Sequence, residues 1–224
     1  MKVTLEATPD PLEIDPELTM LMIVDMHNST VSQGGLSDLL GGDISRAGEI
    51  IPQIVRLADA SRASGRPVIH VSHQYSPDFR ELGDPESVLW QRIRSLRVYR
   101  QHPEWREKCL IRGTWGAEII PELTPVPDDI VLEKSRYSAF WGTNLDTVLR
   151  AYHTRYLAIT GVWANICVES TLRDAFHYGY FPILVEDAVA ATNSPAFEAT
   201  VANVNAAYGW VATTQNLIGA LKSN

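Results

Sequence analysis

Apolar positions along the chain alternate between two rhythms, short unbroken runs and longer stretches repeating every three to four residues. Residues 20–24 form a continuous apolar run closing at Asp25, the pattern of a strand covered on both faces. Across 44–63, Ile44, Ala47, Ile50, Ile51, Ile54, Leu57 and Ala58 recur at helical spacing, and Ser64-Gly65-Arg66-Pro67 ends that helix. Further strands are predicted over 68–71, 130–132, 156–160, 183–185 and 210–213. Helices are predicted over 145–152, 168–178, 197–207 and 214–221. Residues 72–112 are long and irregular, with short helices expected around 86–96 and 103–107. The alternation predicts an α/β fold: a doubly wound, six-stranded, mainly parallel sheet with helices on both faces.

Composition narrows the class. With 224 residues, 45% of them hydrophobic and 21% charged, one domain spanning 1–224 buries an adequate core, with 1–18 as an N-terminal extension. A formal charge of -8 opposes binding to nucleic acid or a membrane surface, since both need clustered Lys and Arg. The basic stretch 92–112 is interrupted by Glu104 and Glu107 and reads as solvated surface. No apolar run approaches the roughly 20 residues of a membrane span, and the acidic, Pro-containing N-terminus is unlike a signal peptide. A cytoplasmic protein is expected. Two cysteines, Cys109 and Cys167, are too few for a disulfide framework and lack metal-ligand spacing. Neither G-x-G-x-x-G nor a Walker-type glycine loop is present, and the pairs Gly34-Gly35 and Gly41-Gly42 mark turns.

Ligands of open parallel sheets bind outside the carboxyl ends of the strands, and three reactive residues fall there. Asp25 closes the first run, Lys134 lies just past the 130–132 strand, and Cys167 follows the 156–160 strand at the start of a helix. Each has a plainer reading: a turn residue, a surface lysine, a packing cysteine. A cysteine in the first helical turn meets unpaired N–H groups and the positive end of the dipole, which favour thiolate. Taken together the three fit general base, electrostatic stabiliser and nucleophile. Cys109 has no strand-end placement and is expected to be structural.

These motifs resemble the isochorismatase-like cysteine hydrolases from Leu21 to Leu221. The likeness is carried by Asp25-Met26-His27-Asn28 after a strand, by Lys134 in EKSRYSAFWGTNLDTVL, and by GVWANICVESTLRDA followed by a strand and Glu186-Asp187. RYSAF (136–140), CVESTLRDAF (167–176) and the late Tyr208-Gly209-Trp210-Val211 are most similar to the ureidoacrylate amidohydrolases of pyrimidine degradation. The resemblance implies an Asp25-Lys134-Cys167 triad, a cis peptide at Val162-Trp163, and an oxyanion hole from the backbone N–H groups of Trp163 and Cys167. It implies hydrolysis of a C–N bond in a small ureido, carbamoyl or amide substrate through a thioester, and a homo-oligomer, dimer or tetramer.

Two departures stand out. His27 replaces the subgroup's usual glutamine, and Trp163 stands where a small residue is usual, so its ring is expected to line or narrow the pocket. His70-Val71-Ser72-His73-Gln74-Tyr75 is unlike the Asp-x-His metal site of nicotinamidases, so no metal or other cofactor is expected. Asn28, His73, Tyr75, Tyr137 and Trp141 are candidates for substrate recognition. Within the same fold, vinyl-ether hydrolysis is the rival chemistry. A catalytically silent binding module is the rival class, though such a chain would ordinarily have lost a triad residue.

Overall fold

The computed structural model describes residues 1–222. Strands β1 (Val3–Leu5) and β2 (Leu12–Ile14) pair antiparallel as a hairpin, with a cis Thr8-Pro9 bond between them. Leu5, Leu12 and Ile14 are buried in the main core, and the Thr8 backbone exchanges hydrogen bonds with Val211. The first residues thus carry strands that pattern alone does not reveal, because three residues are too few to display a period of two.

The large sheet comprises β3 (Thr19–Val24), β4 (Val68–His73), β5 (Ile130–Lys134), β6 (Tyr156–Val162), β7 (Phe181–Ala190) and β8 (Trp210–Ala212). Their order is β5-β4-β3-β6-β7-β8, every pairing parallel. The apolar run of β3 serves both faces. Leu21 and Ile23 enter a core closed by helices Ser45–Ala63 and Thr214–Leu221. Met20, Met22 and Val24 enter a second core, closed by helices Leu145–Ala151 and Glu169–His177. Residues 72–112 build a third cluster around Tyr75, Phe79, Leu96 and Cys109, served by short helices Val88–Arg92 and Arg94–Gln101. Cys109 is buried there, and burial pushes its thiol up to about 11.

Three differences from the sequence expectation bear on the site. β5 runs through to Lys134, which is its last residue. β7 spans ten residues and contains Glu186 and Asp187 rather than ending before them. Asp187 breaks the apolar rhythm because its carboxylate accepts from the backbone N–H and hydroxyl of Thr214, at 2.7 and 2.9 Å, tying down the closing helix. Finally, the helix expected from 168 is preceded by a wide π-helical turn, Ala164–Val168, and Cys167 lies within it. Just upstream, Gly161 has φ 101°, and a Cβ there would stand 2.1 Å from the Val24 carbonyl oxygen, so only glycine lets β6 pass β3 this closely. The next peptide bond but one position, Val162-Trp163, is cis. Among the described residues no helix is long and apolar enough to cross a membrane.

Candidate active site

The chain builds β3, β4 and β5 outward in one direction, then crosses back to place β6 on the other side of β3. The crevice between the carboxyl ends of β3 and β6 is therefore the topological switch point. Asp25 directly follows β3, His73 and Lys134 end β4 and β5, and the Cys167 turn follows β6. Asp25 adopts a left-handed backbone, φ 55°, a conformation Asp tolerates better than most residues. The Thr30 hydroxyl donates to its carbonyl at 2.7 Å, and its own N–H donates to Val71 at 2.9 Å.

The Asp25 carboxylate is held from two sides. Lys134 Nζ donates to Oδ2 at 2.8 Å, and the His73 backbone N–H donates to Oδ1 at 3.1 Å. Lys134 Nζ also donates to the Arg136 carbonyl at 3.0 Å and meets His73 Nδ1 at 3.2 Å. An ammonium offers only hydrogens, so Nδ1 is the acceptor and the neutral His73 ring carries its proton on Nε2. Burial, then the Lys134 charge, holds His73 well below the ordinary histidine range. Burial also pulls on the Lys134 ammonium, but the Asp25 carboxylate beside it prevails and its pKa stands above the usual value.

Burial is equally the main influence on Cys167, which is 6% exposed. It pushes the thiol far above its ordinary value; Lys134 opposes this and Asp25 adds to it. The thiolate expected from a helix start is thus not the resting form. The sulfur lies inside the wide turn, and desolvation outweighs the local dipole. Ligand atoms of Asp25, His73 and Cys167 lie within 4.8 Å of one another, a metal-compatible set by residue type. The Lys134 ammonium, however, already bonds to Asp25 and His73, so a cation binding there has to displace a buried positive charge.

Asp25, His73, Tyr137, Trp163 and Cys167 line one cavity of about 110 Å³. That is well below the roughly 300–1,000 Å³ of sites for drug-sized ligands and suits a small metabolite. Trp163 thus contributes to the wall of this small cavity, as expected of that position. The other recognition candidates sit elsewhere. Asn28 donates to the Trp115 carbonyl at 3.0 Å and accepts from Ser32 at 2.9 Å, tying loops together outside the lining. Tyr75 lies behind His73, ring centroids 5.0 Å apart, and Trp141 is 67% exposed; neither lines the cavity. His27 faces away, its Nε2 2.9 Å from Ser72 Oγ, which also accepts from Gln74 at 2.7 Å. Arg94 and Ser95 line the cavity without having been singled out from sequence. Arg94 belongs to the basic stretch read as solvated surface; it is exposed, but at the cavity mouth.

Comparison with known proteins adds to this geometry. Over 223 residues the chain is 41% identical to the ureidoacrylate amidohydrolase RutB of Methylorubrum extorquens, covering 99% of this chain and 90% of that one. It is 42% identical over 221 residues to that of Agrobacterium fabrum, covering 98% and 96%. Among solved structures, a cysteine hydrolase from Pseudomonas syringae superposes with a TM-score of 0.75 at 27% identity, covering 94% of this chain and 95% of that one. N-carbamoylsarcosine amidase from Thermoplasma acidophilum superposes with a TM-score of 0.63 at 32% identity, covering 88% and 96%. The isochorismatase domain model matches residues 19–216, and the chain belongs to the isochorismatase family.

Proposed function

We propose that this chain is an amidohydrolase that cleaves a C–N bond of a small ureido acid, ureidoacrylate, with Cys167 as nucleophile and Asp25 as general base. The observation that carries the reading is the convergence of Asp25, Lys134 and Cys167 at one small cavity, in a chain so similar to ureidoacrylate amidohydrolases.

Because burial keeps the thiol protonated, activation belongs to the substrate complex. Asp25 takes the Cys167 proton as sulfur attacks the ureido carbonyl carbon. The carbonyl oxygen becomes an oxyanion and is met by the backbone N–H groups of Trp163 and Cys167. Removing one donor of this kind costs roughly 3–4 kcal/mol in other acyl-transfer enzymes. Asp25 then returns the proton to the departing nitrogen as the C–N bond breaks, leaving a thioester-type acyl enzyme on sulfur. Water, deprotonated by Asp25, attacks that carbon and restores the thiol. The products include carbamate or ammonia, according to which C–N bond is cut. Lys134 holds the Asp25 carboxylate in place and balances its charge throughout. The reading needs only a small-molecule substrate; a cytoplasmic homo-oligomer, dimer or tetramer, is part of the same proposal and is checked by light scattering.

The test is direct. Cys167→Ala is expected to abolish ammonia or carbamate release from ureidoacrylate while the circular dichroism spectrum and unfolding midpoint stay near wild type. Normal turnover by the variant overturns the thiol mechanism.

A further inference from the structure

The reacting end of the cavity is neutral overall, because the Asp25 carboxylate is matched by Lys134. The mouth is different. Helix Arg94–Gln101 opens onto the cavity, with Ile93 as its N-cap and Arg94 and Ser95 as its first two residues, all in the lining. The N-cap residue Ile93 makes no side-chain cap hydrogen bond, and the first turn holds no acidic residue. Its initial N–H groups and the positive end of its dipole therefore stand at the cavity mouth. The Arg94 guanidinium has neither ion-pair nor hydrogen-bond partner among the described residues. Tyr137 closes the same corner, its phenol facing the Arg94 backbone N–H.

A second, independent feature calls for an acceptor-bearing ligand. His73 is 4% exposed, lines the same cavity, and its Nε2 has no hydrogen-bond partner among the described residues. Since Lys134 engages Nδ1, that unpartnered nitrogen is a donor. A buried donor left unmatched carries an uncompensated desolvation cost, which a ligand oxygen removes.

We infer that Arg94 and the N-terminal turn of helix Arg94–Gln101 form a carboxylate site, which holds the acid end of the substrate while the ureido carbonyl meets Cys167. The inference rests on the proposed ureido-acid reading and assigns Arg94 as its specificity-determining residue. It makes this cavity select anionic ureido acids over neutral ureas of the same size. His73 Nε2–H then donates to the substrate between the two ends. A guanidinium suits the role because its planar donors match a carboxylate in pairs, where the lysine ammonium is a single point charge.

The experiment compares an acid with its neutral isostere. Binding of 3-ureidopropionate and of its primary amide is measured by titration calorimetry for wild type, Arg94→Gln and Arg94→Lys, with ureidoacrylate turnover followed in parallel. Wild type is expected to prefer the acid by about 10- to 100-fold, the span of a charge-assisted hydrogen bond. Arg94→Gln is expected to lose that preference without weakening the amide, and to raise KM for ureidoacrylate far more than it lowers kcat. Arg94→Lys is expected to regain part of it. The inference is overturned if wild type shows no preference for the acid, or if Arg94→Gln keeps it. The two readings separate cleanly: acid preference lost in Arg94→Gln alongside a wild type that releases nothing from ureidoacrylate overturns the substrate, not the carboxylate site.

Discussion

Lys134 Nζ and Asp25 Oδ2 lie 2.8 Å apart although 109 residues separate them, and both side chains are almost wholly buried. They come from the ends of strands with β4 between them, and β4 supplies His73 to bind both. Each carboxylate oxygen is thereby held by one donor before any substrate arrives, with lone pairs left to accept a proton. A carboxylate restrained in this way stays at one place relative to Cys167, which is what the proposed proton transfer over hydrogen-bond distance requires.

Breaking this pair from one side leaves a lone charge in the core. Lys134→Met is expected to cost roughly 3–5 kcal/mol of stability, the usual result of stranding one member of a buried ion pair. Asp25→Asn combined with Lys134→Met is expected to recover much of that loss, because neither charge remains, while turnover stays absent in both variants. Urea unfolding followed by fluorescence measures the stability, and ammonia release the activity. A Lys134→Met chain as stable as wild type contradicts the account of the pair.

Buried neutral histidines impose a sign on acid stability. Burial lowers His27 to about 4 and also lowers His70 and His73, so the folded chain resists protons that the unfolded chain accepts from about pH 6.5 downward. Stability is therefore full above that value and is lost as pH falls towards 4, at up to about 1.4 kcal/mol per pH unit for each histidine. His27→Gln removes one of the three while keeping a side chain able to bond Ser72. Its unfolding free energy is expected to fall less steeply than wild type between about pH 6.5 and 4. Equal slopes in urea melts across that range mean that His27 does not titrate as its burial dictates.

The parts of this arrangement visible in the sequence are those set by local pattern. An apolar run that ends in Asp25 is enough to put a carboxylate at a strand end, and strand–helix alternation is enough to bring Lys134 and Cys167 to the same edge. What pattern does not carry is anything set by tertiary surroundings. Cys167 is one residue before the position where periodicity starts its helix, inside a π-helical turn that periodicity does not show, and its protonation depends on the desolvation around it rather than on its neighbours in sequence. Asn28 and Tyr75 are polar groups near the site that turn out to bond or pack away from the cavity. Arg94 looks like any exposed arginine until the cluster around Tyr75, Phe79 and Leu96 folds its helix end against the cavity.

Trp163 is the residue whose consequence for substrate choice is most open to measurement. Trp163 is half-buried, packs against the core, and is among the residues lining a cavity that holds only a small ligand. Replacing it by alanine removes wall rather than machinery, because any backbone N–H contribution to the oxyanion site survives the change. Trp163→Ala is expected to lower kcat/KM for ureidoacrylate by about 10- to 200-fold, the range over which pocket walls discriminate by lost apolar contact. The same variant is expected to gain turnover of N-substituted ureido acids too bulky for wild type. A panel of such compounds, scored by amine and ammonia release, separates the outcomes. If the ring only packs, stability falls while the order of preference among the substrates is unchanged; if it sets the size limit, the order reverses toward the larger acids.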